Sequence, residues 1–268
     1  MGCQLRKLLL TLFGVITLNA SWAPDYMIIG AQKSGTTAVF DFLNQHPRVL
    51  KTRGEIHFFD LHFNKGWEWY KGVFPKKPNS SFVVGDKSPY YLFHPLVPER
   101  VFKMSPFTKF IVVLRNPVDR AYSQYWMNRY QGTENRTFEK ALMEEPDLVA
   151  REEMKLLNGE VQTSFKHRNF SYTARGHYAE QLERWFSFFP REQFLIIDSK
   201  KLRDNPQKEM NKVFDFLGLD RYVLNLAEKG RKSDYPAMKS ETKQRLKVHF
   251  KPYNEALEAL LDTSFNWD

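Results

Sequence analysis

The chain has 268 residues, of which 42% are hydrophobic and 26% are charged, and these values are typical of a folded globular protein rather than a disordered one. Its length suits one large α/β domain and is too short for two. The net charge of +9 favours anionic partners, but the basic residues are scattered, which argues against nucleic acid as a partner. A single cysteine, Cys3, excludes an intrachain disulfide and a cysteine-based metal site, and the seven histidines show no metal-ligand spacing.

The N-terminal residues differ in character from the rest of the chain. Arg6 and Lys7 precede an apolar stretch from Leu8 to Leu18, which is shorter than the roughly 20 residues of a transmembrane helix. This pattern indicates a signal peptide or a short anchor, with membrane attachment through residues 5–20. We therefore predict a signal-like or anchor segment at 1–23 and a single domain at 24–268.

Short runs of β-branched and aromatic residues predict buried strands. They are Tyr26–Ile29, Phe82–Val84, Phe110–Leu114 and Phe194–Ile197. Such nearly continuous apolar runs are typical of a parallel sheet that is covered on both faces.

Helical spacing of apolar residues lies between and after these runs. The predicted helices are 35–45, one that starts at Pro117 with Asn116 as its cap, 178–189, one that runs from Pro206 to Gly218, and 246–260. Pro252 should break or kink the last of them. Strands alternating with helices predict a doubly wound α/β fold with helices on both faces, in which ligands bind at the carboxyl ends of the strands.

The first predicted strand leads through a glycine-flanked loop, Gly30–Thr37, directly into a helix. Backbone N–H groups and a helix N-terminus at such a loop form an anion site. The spacing of Gly30 and Gly35 matches the Walker A motif, but Thr36 stands where a nucleotide triphosphatase carries its lysine, and Lys33 lies inside the loop instead. This displacement disfavours a P-loop kinase or NTPase, which stays an alternative beside a tight turn without a ligand.

The segment Lys33–Thr37 resembles the 5′-phosphosulfate loop of the sulfotransferases that use 3′-phosphoadenosine-5′-phosphosulfate (PAPS). It is most similar to the domains that sulfate heparan sulfate glucosamine (N- or 3-O-) and their bacterial relatives, whose fold is P-loop-like. Further segments agree in the same order: Glu55–Asp60, Lys87–Tyr91, Leu114–Ser123 and Lys229–Pro236. The resemblance covers about residues 26 to 240.

The resemblance implies transfer of a sulfuryl group from PAPS to a hydroxyl or amino group of a glycosaminoglycan-like carbohydrate, without a metal. Arg115 ends a predicted strand and Ser123 lies in the second turn of the following helix, so both can face one crevice, and by resemblance they bind the 3′-phosphate. The nucleotide-binding residues that the resemblance implies are Lys33, Ser34, Gly35, Thr36, Thr37, Arg115, Ser123, Lys229, Gly230 and Arg231.

The catalytic roles are also assigned with the help of the resemblance. Glu55 is the expected general base, and on a locally extended chain His57 would point to the same side and orient it. Lys33 is expected to stabilise the charge that develops on the departing phosphate. Lys87 and Asp60 are expected on the acceptor side. The alternative interpretation of Glu55 is a surface acid beside a structural histidine.

Other features of the sequence leave the acceptor and the location open. The aromatic residues Trp67, Trp69, Tyr70, Trp126 and Tyr130 suit either a carbohydrate cleft or core packing. The heparan sulfate enzymes carry a disulfide-bonded segment that is shorter here, around 222–228, and lacks cysteine, which fits a microbial relative with another acceptor. Four Asn-x-Ser/Thr sequons fit a Golgi membrane or lumenal enzyme, whereas a bacterial enzyme would be cytoplasmic or membrane-attached. A non-catalytic protein that binds anionic glycans is the further alternative.

Overall fold

A computed structural model describes residues 22–226 and 234–267. Its centre is a parallel sheet with the strand order β2-β1-β3-β4, formed by β1 (Tyr26–Gly30), β2 (Gly85–Lys87), β3 (Lys109–Leu114) and β4 (Phe194–Asp198). The helices are, in chain order, α1 (Thr36–Leu43), α2 (Phe58–Leu61), α3 (Trp67–Gly72), α4 (Val97–Met104), α5 (Pro117–Tyr130), α6 (Phe138–Leu157), α7 (Phe165–Asn169), α8 (Tyr178–Phe186), α9 (Ser199–Asp204), α10 (Pro206–Leu217) and α11 (Ser240–Leu261).

The sheet is buried on both faces, as the apolar runs predict. Met27 and Ile29 of β1 point into one hydrophobic cluster, which α4, α8 and α11 complete. Tyr26 and Ile28 point into a second cluster, which α1, α9 and α10 complete. This alternation follows from the period of two in a strand, and it gives the predicted α/β architecture with helices on both faces of a parallel sheet.

The second predicted strand lies three residues too early in the sequence. The apolar run at 82–84 is not part of the sheet: Val83 N donates to Arg48 O at 2.9 Å, and Leu50 N donates to Val83 O at 2.9 Å. The residues that pair with β1 are the following ones, Gly85–Lys87. The apolar run pairs instead with the segment 48–50, through a parallel bridge between Val83 and Val49. The strand that pairs with β1 is polar and carries two charged residues.

Asp86, in the middle of β2, is fully buried, and this polar strand depends on its hydrogen bonds. Its carboxylate accepts hydrogen bonds from Tyr70 Oη at 3.0 Å, Tyr91 Oη at 2.8 Å and Ser88 Oγ at 2.8 Å. Burial raises the pKa of Asp86 to about 6, although these three donors favour the carboxylate. Three hydroxyl donors thus compensate one buried acid beside the sheet.

The predicted helix boundaries are confirmed at three positions, two starts and one stop. Asn116 caps α5 by accepting from Val118 N at 3.0 Å, and Asn205 caps α10 by accepting from Lys208 N at 3.1 Å. Gly218 ends α10 in the left-handed conformation at φ 73°, where glycine carries no steric penalty.

The helix α11 runs without a break through Pro252, where the sequence predicts a break or a kink. A proline removes the hydrogen bond to the carbonyl four residues earlier, which belongs to Val248, and Val248 is 65% exposed. Water can therefore satisfy that carbonyl, while Leu246, Phe250 and Leu257 hold the opposite face in the core. The helix α6 has no counterpart among the predicted elements, and it too contains a proline, Pro146.

No helix within the described residues is both long enough and apolar enough to cross a membrane. The predicted signal or anchor segment lies almost entirely in 1–21, outside the described residues, and so do Lys229, Gly230 and Arg231.

The close packing of Tyr26 on Gly85 predicts a measurable sensitivity in the sheet. A Cβ atom at Gly85 would lie 2.4 Å from the Tyr26 ring, so Gly85→Ala should force β1 and the edge strand β2 apart. We expect the free energy of unfolding in urea to fall by about 1–3 kcal/mol, the usual range for overpacking. Gly72→Ala is the matched control, since a Cβ there meets nothing within 4 Å, and it should change stability by less than about 0.5 kcal/mol. Equal stability of the two variants would contradict the packing described.

Candidate active site

The loop between β1 and α1, residues 31–35, lies at the carboxyl end of the central strand. Gly35 adopts φ 105° and Lys33 φ 69°, and α1 begins immediately after them at Thr36. The first-turn N–H groups of a helix have no intrahelical partner and carry a partial positive charge. Ser34 Oγ is buried close to Tyr178, without a hydrogen bond of good geometry to any described residue. The buried Ser34 hydroxyl and the left-handed backbone of the loop are suited to an anion such as a phosphosulfate.

Three cationic side chains surround this loop. Arg115 follows β3 directly and donates from Nη1 to Lys33 O at 3.0 Å, which connects the end of β3 to the loop. Burial, together with the charges of Arg115 and Arg120, lowers the pKa of Lys33. Arg120 is fully buried and bonds Gln124 Oε1 at 2.9 Å and Tyr172 O. An anion in the loop would relieve the repulsion among these cations.

Ser123 is buried in the second turn of α5, the helix that follows Arg115. The exposed side of the same helix holds residues 234–236. Tyr122 Oη donates to Pro236 O at 3.0 Å, Tyr130 Oη donates to Asp234 O at 2.6 Å, and the Trp126 ring stacks on Tyr235 with an interplanar angle of 4°. The chain that follows the segment 227–233 is therefore fixed along the helix that carries Ser123.

Glu55, His57 and Asp60 form a continuous hydrogen-bonded chain. Glu55 Oε2 lies 2.9 Å from His57 Nε2, and Asp60 Oδ2 lies 2.7 Å from His57 Nδ1. The predicted pairing of Glu55 with His57 is thus present, but the expected extended backbone is not, because His57 adopts φ 54° in the left-handed region. The side chains meet because the chain turns at His57 into α2, where Ser88 Oγ accepts a hydrogen bond from His57 N at 2.9 Å.

The protonation states follow from these contacts. Burial opposes a charge on His57, but hydrogen bonds to Asp60 and Glu55 outweigh it and raise the pKa of His57 to about 9. Burial would likewise raise the pKa of Glu55, but the hydrogen bond from His57 and the charge of Lys87 lower it below its usual value. At neutral pH an imidazolium therefore lies between two carboxylates, and Glu55 is ionised.

Lys87 connects this chain to the β1–α1 loop. It ends β2, its side chain is 8% exposed, and its Nζ lies 3.4 Å from Glu55 Oε1. The same Nζ lies 3.3 Å from Thr37 Oγ1, in the first turn of α1. One ammonium group therefore spans the distance between the acid–base residues and the anion loop.

The structure gives Asp60 a different position from the expected acceptor side. Its side chain has no accessible surface, and its second oxygen accepts from Leu61 N at 2.7 Å. A carboxylate without accessible surface does not contact an acceptor in this conformation, so Asp60 supports His57 from beneath. Tyr70 is likewise a core residue rather than part of a cleft, and Trp67 packs against the same core. Trp69 is 36% exposed, and Lys65 Nζ lies over its ring, 4.3 Å from the centroid.

Sequence reasoning missed the residues behind the loop. Arg175 is buried and donates from Nη1 to Gln32 Oε1 at 2.6 Å, and Ser88 holds the backbone of His57. Ser88 lies inside a segment that the sequence singled out, so a signal existed for it. Nothing in the sequence distinguishes a buried arginine such as Arg175 from the many exposed ones. Its neighbour His177 stacks on Tyr253 at 3.6 Å between ring centroids, as a structural residue would.

The raised pKa of His57 can be measured directly. The ring should titrate near pH 9 by nitrogen NMR, and Asp60→Asn should lower the midpoint because the neutral amide no longer favours the imidazolium. Because the folded-state pKa lies above the ordinary 6.5, the stability that the charged ring contributes is complete below pH 6.5 and is lost as pH rises through about 9. Asp147→Asn, an exposed change, should leave the midpoint unaltered. A wild-type midpoint near 6.5 would contradict the hydrogen-bonded chain.

Comparison with known proteins identifies the family of the chain. Residues 23–255 match the family model described as a sulfotransferase domain. The chain is 30% identical over 271 residues to heparan sulfate glucosamine 3-O-sulfotransferase 6 from Mus musculus, which covers 91% of this chain and 74% of that protein. It is 31% identical over 274 residues to heparan sulfate glucosamine 3-O-sulfotransferase 3B1 from Homo sapiens. That match covers 91% of this chain but only 65% of the relative.

A solved structure supports the same assignment. The crystal structure of a sulfotransferase from Alicyclobacillus acidocaldarius superimposes with a TM-score of 0.76 at 26% identity, over 92% of this chain and 99% of that one. The match to the family model covers most of the chain, and the two 3-O-sulfotransferases resemble it along nearly the same length. The chain therefore belongs to the sulfotransferase family and is a sulfotransferase enzyme.

Proposed function

We propose that this enzyme transfers the sulfuryl group of PAPS to a hydroxyl group of a glucosamine unit in a heparan sulfate-like polysaccharide. The observation that carries the proposal is the position of Lys87, whose ammonium lies 3.4 Å from Glu55 Oε1 and 3.3 Å from Thr37 Oγ1. A carboxylate base is thereby held one side chain away from an anion-binding loop, which is the arrangement that transfer from a bound donor to a hydroxyl requires.

The donor site in this proposal is the β1–α1 loop with its surrounding cations. Lys33, Ser34, Gly35, Thr36 and Thr37 would hold the phosphosulfate, for which the leftover hydroxyl of Ser34 and the glycine conformation of the loop are suited. Arg115 and Ser123 would bind the 3′-phosphate, with Lys229, Gly230 and Arg231 completing the nucleotide site. PAPS supplies an activated sulfur–oxygen bond, so the protein needs to position and stabilise rather than activate the donor.

Glu55 acts as the general base in this scheme. Glu55 contacts His57 through Oε2 at 2.9 Å and Lys87 through Oε1 at 3.4 Å. The atom with the longer contact, Oε1, takes the proton of the acceptor hydroxyl while the hydroxyl oxygen forms a bond to sulfur. The bond between sulfur and the phosphate oxygen breaks, and its electron pair stays on the phosphate. The charge of Lys33, and on the other side that of Lys87, stabilises the developing anion.

His57 and Asp60 serve as positioning residues for this base. The charged imidazole keeps Glu55 ionised at neutral pH and fixes its orientation, while Asp60 holds the imidazole from its buried side. The lowered pKa weakens Glu55 as a base but ensures that it is deprotonated when the acceptor binds.

The choice of acceptor rests on similarity and on charge. Both compared relatives are named as glucosamine 3-O-sulfotransferases, which favours a hydroxyl over an amino group. The net charge of +9 suits a polyanionic chain. We further propose that residues 24–268 act as one catalytic domain, in line with the family match over 23–255.

Recognition of the 3′-phosphate is the first testable consequence. In calorimetric titrations, the desulfated product 3′-phosphoadenosine 5′-phosphate (PAP) should bind at least about 10-fold more tightly than 5′-AMP, the gain expected from charge-assisted hydrogen bonds to a second phosphate. Arg115→Ala should remove most of that preference, whereas Arg245→Ala, an exposed arginine on α11, should not. Tight ATP binding that depends on Mg²⁺, without a preference for PAP, would favour the kinase alternative instead.

Loss of the base gives the second test. Glu55→Gln keeps the size of the side chain but cannot accept a proton, so the turnover number for transfer of radiolabelled sulfate from PAPS to a heparan-type acceptor should fall by about 100-fold or more. The affinity for PAP should change little, because Glu55 is not among the residues assigned to the nucleotide. Glu68→Gln, on the exposed face of α3, is the control. A non-catalytic glycan-binding protein would show no turnover to lose.

A further inference from the structure

Arg175 is a buried residue in contact with the β1–α1 loop. It lies in the short turn Ala174–Gly176 just ahead of α8, and it is 3% exposed. Its Nη1 donates to Gln32 Oε1 at 2.6 Å, its Nε donates to Ser171 Oγ at 3.2 Å, and its Nη2 donates to Arg168 O. Each nitrogen of the guanidinium therefore has a partner of its own.

Every one of these partners is neutral. Within 22–226 and 234–267, no carboxylate forms an ion pair with Arg175, and the guanidinium instead lies over the rings of Tyr90 at 4.7 Å and Phe93 at 5.5 Å. Burial lowers the pKa of Arg175 to about 9, which still leaves it charged at neutral pH. A buried cation held by a fixed fork of donors and two aromatic faces is rigid, and a lysine could not reproduce that geometry.

Arg175 contacts two parts of the site, the β1–α1 loop and the segment 87–91 at the end of β2. Gln32 is the residue before Lys33 in the β1–α1 loop, where we propose the donor binds. Tyr90 follows Lys87 and Ser88, which contact Glu55 and the backbone of His57. Arg175 thus touches the donor loop with its hydrogen bond, and with its flat face it touches the segment 87–91, whose Lys87 and Ser88 contact Glu55 and His57.

We propose that Arg175 is a positioning residue that fixes the donor loop relative to the base through its hydrogen bond to Gln32. The proposal rests on the function proposed above, since it assigns the loop to the donor and Glu55 to the base. In-line transfer depends on the separation and angle of the reacting atoms, and a misplacement of about 1 Å can cost about 100-fold in rate. A shift of the loop should therefore affect turnover more than donor affinity.

The test uses Gln32 rather than Arg175, because Gln32 is only half-buried and its replacement leaves the core intact. Gln32→Met has nearly the same shape but no acceptor for Arg175. Single-turnover rates with PAPS and a heparan-type acceptor should fall by about 10-fold. The affinity for PAP should change by less than about 3-fold, whereas the melting temperature should fall by about 2–8 °C, because Nη1 of the buried guanidinium loses its acceptor. Gln131→Met, an exposed glutamine at the end of α5, is the matched control and should change none of these quantities.

A double-mutant cycle identifies Arg175 as the partner. Once Arg175→Lys has removed the fork, adding Gln32→Met should cause little further loss of rate, because residues that act through one hydrogen bond are not additive. Additive losses, or an unchanged rate in Gln32→Met, would overturn the proposal, and Gln32→Met alone decides if Arg175→Lys does not fold. If the wild type binds PAP and transfers sulfate and Gln32→Met does so at the same rate, only this inference is disproved. If the wild type neither binds PAP nor transfers sulfate, the proposed function itself is disproved.

Discussion

The buried carboxylate of Asp86 is the interaction on which the site depends. It lies at the centre of a polar strand beside β1, where an ionised group is costly unless hydrogen bonds compensate it. Its three hydroxyl donors come from α3 and from the segment after β2, so the acid joins the wall of the site to the sheet. Ser88, one of these donors, also holds the backbone of His57, and Lys87 lies between the two. The acid–base chain is therefore built outward from one buried acid.

The charge distribution of the site is divided between its two sides. The loop side carries Lys33, Arg115 and Arg120, with Arg175 behind them, and their proximity is unfavourable without an anion. The opposite side carries two carboxylates that enclose a charged imidazole. Lys87 stands at the border between the two sides and contacts both. Such a division suits a reaction in which negative charge moves toward the loop while a proton moves away from it.

The parts of this arrangement that could be predicted are those with a local cause. The strands at Tyr26 and Phe110, the caps at Asn116 and Asn205 and the glycine-flanked loop are specified by residues close together in the sequence. The parts that could not be predicted depend on contacts distant in sequence. The apolar run before β2 pairs through Val83 with Val49, and the burial of Asp60 and Arg175 follows from packing that no local pattern encodes. The prediction for Pro252 considers the effect of a proline on an isolated helix. In the structure Pro252 faces solvent, and α11 continues through it.

The helix α5 has one further consequence for how this enzyme can change. Its inward face carries Ser123, and its outward face fastens residues 234–236 through Tyr122, Trp126 and Tyr130. Because both faces belong to one continuous helix, a rotation or shortening of α5 would move Ser123 and the attachment of residues 234–236 together. In the proposed function Ser123 binds the nucleotide, so a change that turns or shortens α5 would alter nucleotide binding and the anchoring of residues 234–236 together.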